Sequence, residues 1–115
     1  MDAYKLVMHV DKEDGSLSVA LRNAVNFVSA MENDSYEMVL VVNSKAVVLL
    51  REASGEFDKA LEDACCKGLS VRVCNNALNE KGMSPDELYP QCTIVPAGVV
   101  EIVRLQKEGF AYIKP

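Results

Sequence analysis

The sequence has no tryptophan, only one histidine and no long hydrophobic run. Its longest apolar runs span about five residues, far fewer than the roughly 20 that a membrane-spanning helix needs. The first residues also lack the basic segment and the apolar stretch that together make a signal peptide. These absences argue against a membrane-spanning helix, and they predict a cytoplasmic protein.

Metal and cofactor motifs are missing as well. There is no Cys-x-x-Cys pair and His9 is the only histidine, so the ligand spacing of a zinc site is absent. The nucleotide-binding motifs GxGxxG and GxxxxGK[ST] and the hydrolase motif GxSxG do not occur. We therefore expect neither a metal nor a cofactor.

Basic residues are outnumbered: 12 Lys and Arg stand against 17 Asp and Glu, which gives a net charge of −5. Since no stripe of Lys and Arg is present, we expect no binding to nucleic acid or to an anionic membrane. The chain has 115 residues, of which 50% are hydrophobic, so we predict a single domain over residues 1–115. The cysteines are expected to be thiols, because disulfides are rare in the cytoplasm. They are Cys65, Cys66, Cys74 and Cys92.

What the sequence does contain is an alternation of apolar strands and amphipathic helices. Strands are predicted over residues 3–10, 36–43, 69–74, 93–95 and 110–114. Helices are predicted over residues 17–31, 55–67, 75–81 and 99–108, with a short capped turn at 84–87. Residues 44–50 fit either a short helix or a strand. This order indicates βαβ units and a layered α/β sandwich with a mainly parallel sheet.

Candidate site residues lie where the predicted strands end. Ligands of open parallel sheets bind beyond the carboxyl ends of the strands, and these ends share one edge of the molecule. The residues at the four ends are His9, Asn43, Cys74 with Asn75 and Asn76, and Pro96 with Gly98. We expect them to form one site.

Cys74 has two interpretations. A free cysteine at a strand end is often a small buried hydrophobic residue. Alternatively, because a helix is predicted directly after it, the partial positive charge of the helix N-terminus would favour the nucleophilic thiolate. Asn75 and Asn76 are natural N-cap residues with amide donors, and His9 would serve as a base or charge partner.

The other three cysteines are not expected to be functional. Cys65 and Cys66 lie near the end of a predicted helix, where one is expected in the core and the other partly exposed. Cys92 precedes a predicted strand, so it should lie at the opposite, amino edge of the sheet.

Three segments carry a resemblance to a known family. They are Cys74-x-Asn76-x-Leu78, Val-Pro-Ala-Gly-Val over residues 95–99, and Leu-Gln-x-Glu-Gly-Phe-Ala-Tyr-Ile-x-Pro over residues 105–115. Together with the first strand and helix, they make nearly the whole chain similar to the DsrE/DsrF-like family of small intracellular sulfur-metabolism proteins, which have the YchN-like fold.

The resemblance implies a three-layer α/β sandwich around a mostly parallel five-stranded sheet. It also implies assembly into homo- or hetero-oligomers, often trimers or hexamers. In some members the cysteine that Cys74 matches carries sulfur as a persulfide. One feature departs from the family: many relatives have a Gly-Pro-rich turn after the second strand, where this chain has Asn43-Ser44-Lys45-Ala46. Without glycines, the backbone there approaches a ligand less closely.

Two main functions follow from these expectations. The first is a sulfur-relay protein that receives sulfane sulfur on Cys74 from a donor protein and passes it to an acceptor, without turnover of a small substrate. The second is a non-catalytic oligomeric module that binds a ligand or partner, with Cys74 structural. The apolar strip Val99, Val100, Ile102 and Val103 suits a subunit interface in such a module. A third, thiol redox exchange, lacks a neighbouring resolving cysteine in the sequence.

Overall fold

The computed structural model describes residues 3–115, which form one five-stranded sheet with helices on both faces. The strands are β1 (Tyr4–Val10), β2 (Tyr36–Val42), β3 (Leu69–Cys74), β4 (Cys92–Val95) and β5 (Ala111–Ile113). Their order is β4-β3-β2-β1-β5, and every neighbouring pair is parallel. The predicted α/β sandwich is confirmed, and its sheet is entirely rather than mostly parallel.

The helices follow the predicted alternation. The α-helices are α1 (Ser16–Ala30), α2 (Asp58–Cys66), α3 (Asn75–Glu80) and α4 (Gly98–Lys107). Three 3-10 helices lie at Ser44–Leu50, Glu52–Ser54 and Pro85–Glu87. None of the helices formed by residues 3–115 has the length and apolar character to cross a membrane.

The sheet separates two hydrophobic cores, because successive side chains of a strand point to opposite faces. In β1, Leu6, Met8 and Val10 belong to the larger core beneath α1 and α2, whereas Val7 belongs to the smaller core beneath α4. Strand β2 is apolar on both sides for the same reason: it is central and covered on both faces.

The second face of the sheet is covered by a single α-helix, α4. Its core consists of Val7, Val39, Val41, Ile102, Leu105 and Phe110. Ile102 is therefore a core residue, unlike the valines around it in the predicted apolar strip. Val99, Val100 and Val103 are 63%, 63% and 54% exposed, so they form the outer surface of α4.

Ser44–Leu50, the segment whose sequence fits either a short helix or a strand, is a 3-10 helix. Its buried residues include Val47 and Leu50. These two are three residues apart, the spacing at which 3-10 side chains lie above one another. Elsewhere the local signals are confirmed: Ser84 and Glu87 form a capping box, and Gly68 follows α2 with a φ of 107°.

Candidate functional site

Cys74 lies where β3 passes directly into α3. It has extended backbone angles, φ −71° and ψ 117°, and it is the N-cap of α3, whose first helical residue is Asn75. The prediction that Asn75 or Asn76 caps this helix is therefore wrong, and no side chain caps it. The reason is the abrupt transition: because helical geometry begins at Asn75, both asparagines lie inside the first turn.

Three chain segments meet beside Cys74. A Cβ atom added to Gly98 would lie 3.1 Å from Asn43 Cβ, 3.3 Å from Asn43 Nδ2 and 3.3 Å from Cys74 Cβ. The end of β2, the end of β3 and the first residue of α4 therefore converge at one place, as the parallel topology predicts. Glycine at position 98 is what permits this approach.

His9 is connected to this place through Asn43. Its Nε2 lies 2.9 Å from Asn43 Oδ1, and its Nδ1 lies 2.9 Å from the Tyr112 hydroxyl. The Asn43 backbone N–H donates to the Val10 carbonyl at 3.1 Å, which fixes the end of β2 against β1. Because both ring nitrogens of His9 are occupied, it has no nitrogen free to serve as a direct base for Cys74, and its influence must pass through Asn43.

The remaining predicted residues contribute backbone rather than side chains. The Asn76 N–H donates to the Pro96 carbonyl at 3.4 Å, which joins α3 to the turn before α4. The side chains of Asn76 and Pro96 are exposed, and that of Asn75 is partly buried. The edge predicted from sequence is thus present, but the side chains that come together are those of Cys74, Asn43 and His9, with Gly98 beside them.

The Cys74 side chain is only 7% exposed and lies in the larger core. All four cysteines are free thiols. Burial raises the pKa of Cys92 to about 12, with the nearby Cys65 adding to the shift, and burial also raises the pKa of Cys65. Those two thiols therefore stay protonated near neutral pH. Cys66 is exposed, as expected for one member of the helical pair.

Tyr112 is the site residue that sequence reasoning missed. Strand β5 was predicted, but its neighbour in the sheet was not. The parallel register pairs Tyr112 with Val7, two residues before His9, which brings the phenol onto the face where His9 lies. The alternation of β1 and β5 would have indicated this contact once the strand order was known.

An ion pair holds the end of β5 near the same edge. Lys114 Nζ lies 2.5 Å from Asp11 Oδ1. The hydrogen bond from Lys114 holds the pKa of Asp11 below its usual range. Within residues 3–115, no three His, Cys, Asp or Glu side chains are grouped so that they could hold a metal ion.

Comparisons with known proteins agree with this architecture. No curated protein is similar enough in sequence to count as a match. A solved structure, that of a protein of unknown function, MTH1491, from Methanobacterium thermoautotrophicum, is similar with a TM-score of 0.88 and 33% sequence identity. The similarity covers 97% of this chain and 99% of that chain. The sequence profile of the DsrE/DsrF-like family matches residues 5–115. The chain therefore belongs to the DsrE/DsrF-like family.

Proposed function

We propose that this protein is a sulfur-relay carrier that holds sulfane sulfur as a persulfide on Cys74. The observation that carries the proposal is the position of Cys74. It is the one cysteine at the carboxyl edge of the sheet, next to the Asn43 amide and the start of α4. Membership in a family associated with sulfur relay supports the same chemistry.

The transfer step needs no oxidant or cofactor. The Cys74 thiolate attacks the terminal sulfur of a donor persulfide, R–S–SH. A new S–S bond forms on Cys74, the S–S bond of the donor breaks, and the donor leaves as the thiolate R–S⁻. The reverse exchange with an acceptor thiolate returns Cys74 to its starting state, so the protein acts as a covalent carrier without turnover of a small substrate.

Two kinds of donor around Gly98 could stabilise the anion on Cys74. The side-chain amide of Asn43 lies on the Cys74 side of the site. The first N–H groups of α4 have no acceptor within their own helix, and the earliest helical bond of this turn runs from the Glu101 N–H to the Ala97 carbonyl. Hydrogen bonds to an ionised acceptor are stronger than those between neutral groups.

The test uses the tryptic map of the chain. Cleavage after Arg72 and Lys81 isolates Cys74 in the peptide 73–81, apart from Cys65 and Cys66 and from Cys92. The protein is incubated with polysulfide, blocked with iodoacetamide, digested and weighed by mass spectrometry. We expect one added sulfur atom on peptide 73–81.

Two variants control this experiment. Cys66→Ser removes the exposed thiol and should leave uptake by peptide 73–81 unchanged, whereas Cys74→Ser should abolish it. In a parallel sample that is not alkylated, cyanide should release the outer sulfur as thiocyanate in an amount equal to the persulfide counted. Equal sulfur uptake by the wild type and Cys74→Ser, or uptake confined to Cys66, would refute the carrier.

A second candidate function is favoured by a different observation. Cys74 is 7% exposed, which also suits a structural residue in a non-catalytic oligomeric module that binds a ligand or partner. The outer valines of α4 suit a contact between copies of the chain in such a module, as a homotrimer or homohexamer. The same mass experiment separates the two functions, because a structural Cys74 takes up no sulfur until the protein unfolds.

A further inference from the structure

A chain of three hydrogen-bonding side chains leads from the edge strand β5 to the candidate site. The Tyr112 hydroxyl meets His9 Nδ1, and His9 Nε2 meets Asn43 Oδ1, each at 2.9 Å. A neutral imidazole has one N–H donor and one acceptor nitrogen. The two contacts of His9 are therefore not independent, because the choice of tautomer sets the direction of both.

With a neutral imidazole, only two arrangements satisfy the whole series of hydrogen bonds from Tyr112 through His9 to Asn43. In the first, His9 Nε2–H donates to Asn43 Oδ1, Nδ1 accepts from the Tyr112 O–H, and the Asn43 Nδ2 donors face Gly98, beside which Cys74 lies. In the second, His9 Nδ1–H donates to the Tyr112 oxygen and Nε2 accepts from Asn43 Nδ2. The amide is then reversed, and its oxygen faces Cys74. An amide oxygen repels a thiolate, whereas an N–H attracts it.

We propose that Tyr112 is a positioning residue of the Cys74 site, because its O–H donates to His9 Nδ1 and thereby keeps the Asn43 amide with its N–H donors toward Cys74. The inference rests on the proposed function of Cys74. The structure has the amide orientation of the first arrangement, with Asn43 Oδ1 at His9 and Asn43 Nδ2 toward Gly98.

The fold holds Tyr112 in place for this role. Strand β5 pairs with β1 over three residues, with Tyr112 opposite Val7. The ion pair between Lys114 and Asp11 fixes the chain two residues further on. Tyr112 is 40% exposed, so its ring adds little to either core, and loss of its hydroxyl should leave the fold intact.

The tautomer can be read directly, because the chain has one histidine. In tag-free protein labelled with ¹⁵N, at a pH where the spectrum itself shows the His9 ring to be neutral, long-range ¹H–¹⁵N correlation spectra distinguish Nε2–H from Nδ1–H. We expect the Nε2–H tautomer in the wild type and a shift toward Nδ1–H in Tyr112→Phe. Tyr4→Phe, which changes another exposed tyrosine of the sheet, should leave the spectrum unchanged.

The reactivity of Cys74 tests the effect of the Asn43 amide on the thiol, and this test needs no sulfur donor. Alkylation of peptide 73–81 by iodoacetamide should slow by about tenfold in Tyr112→Phe, the order expected when a hydrogen bond to a charged group is lost. Asn43→Asp keeps an oxygen acceptor for His9 but replaces the N–H donors by a carboxylate. It should slow alkylation at least as much while leaving His9 as Nε2–H.

The outcomes separate this inference from the carrier function. An Nδ1–H tautomer in the wild type, or a Tyr112→Phe variant that changes neither the tautomer nor the alkylation rate, would overturn the positioning role. If the tautomer and alkylation results are as expected but wild-type Cys74 takes up no sulfur, the positioning role stands and the carrier function fails.

Discussion

Ser44, the residue after Asn43, has a backbone conformation that usually belongs to glycine. Its φ is 54°, the one positive value among the non-glycine residues from 3 to 115. A side chain in this left-handed region costs roughly 1–2 kcal/mol. The absence of glycine from this turn therefore coincides with backbone strain next to the site.

We expect Ser44→Gly to stabilise the protein. The gain should be about 0.5–1 kcal/mol in the free energy of unfolding, because relief of strain is partly offset by the greater freedom of glycine in the unfolded chain. Urea denaturation measures it. Lys45→Gly, one residue further on and without a positive φ, is the matched control and should destabilise. A loss of stability in Ser44→Gly would contradict the strain argument.

Gly98 gives the second prediction at this scale. Its φ is not in the left-handed region, so the effect of a side chain depends on space alone. In Gly98→Ala the new methyl group would crowd Asn43 and Cys74 at 3.1–3.3 Å. We expect a loss of about 1–3 kcal/mol in unfolding free energy, the usual cost of overpacking. Slower alkylation of Cys74 should accompany it, and unchanged stability and alkylation would show that α4 does not approach the site this closely.

Individual residues are where sequence reasoning succeeded least. It identified Cys74, Asn43, Gly98 and His9 as neighbours, because parallel strand ends share an edge. It did not find Tyr112, since no local pattern reveals that β5 lies beside β1. It could not give the 7% exposure of Cys74 either, because burial there depends on the approach of α4 from a distant part of the chain.

At the scale of elements, α4 is tied to β3 by a partly buried ion network. Glu101, only 8% exposed, accepts from Arg104 at 2.7 and 3.0 Å and from Arg72 of β3 at 2.5 Å. These hydrogen bonds hold the pKa of Glu101 below its ordinary value, and the one from Arg104 has the largest effect. The pKa of Glu101 is lower in the folded protein than in the unfolded chain, where it is about 4.3. Glu101 therefore stabilises the fold at pH values above about 4.3, and this contribution is lost as the pH falls toward the pKa of the folded protein.

Glu101→Gln should therefore destabilise the protein in a pH-dependent way. We expect a loss of about 1–3 kcal/mol at pH 7, because Arg72 loses its charged partner in a partly buried place. The difference from wild type should shrink as the pH falls toward 3, and urea denaturation at both pH values measures it. Glu108→Gln, at an exposed pair with Arg104, should cost under about 0.5 kcal/mol. An identical deficit of Glu101→Gln at pH 7 and pH 3 would be inconsistent with this pairing.

Elements were predicted well wherever local chemistry determines them. Strand β3 was predicted with its observed bounds, and the capping box at Ser84 marks the start of a helical turn by side-chain hydrogen bonds within the segment itself. The segment Ser44–Leu50 could not be assigned, because its apolar run suits a strand or a helix equally. Its 3-10 form depends on the core into which Val47 and Leu50 pack.

At the scale of the whole molecule, the two faces of the sheet are covered unequally. Helices α1 and α2 lie over the larger core, while α4 alone lies over the smaller one. On the outer surface of α4, the exposed Val100 and Val103 are bordered by Arg104, Lys107 and Glu108. An apolar centre with a polar rim of both charges is typical of a protein–protein interface. The periodicity of α4 alone could not separate the buried Ile102 from the exposed valines, because that requires the position of the sheet.

We expect the wild-type protein to be a homo-oligomer, a trimer or hexamer, that is held together through this face of α4. Val100→Glu places a charge at its centre and should dissociate the oligomer, since burying an unpaired carboxylate is unfavourable. It should barely change the fold of the monomer, because Val100 is 63% exposed there. Sedimentation equilibrium measures the mass, and circular dichroism checks the fold.

Ser18→Glu adds the same charge to the exposed side of α1 and should leave the oligomer intact. A monomeric wild type, or an oligomer that Val100→Glu does not weaken, would exclude this surface as the subunit contact.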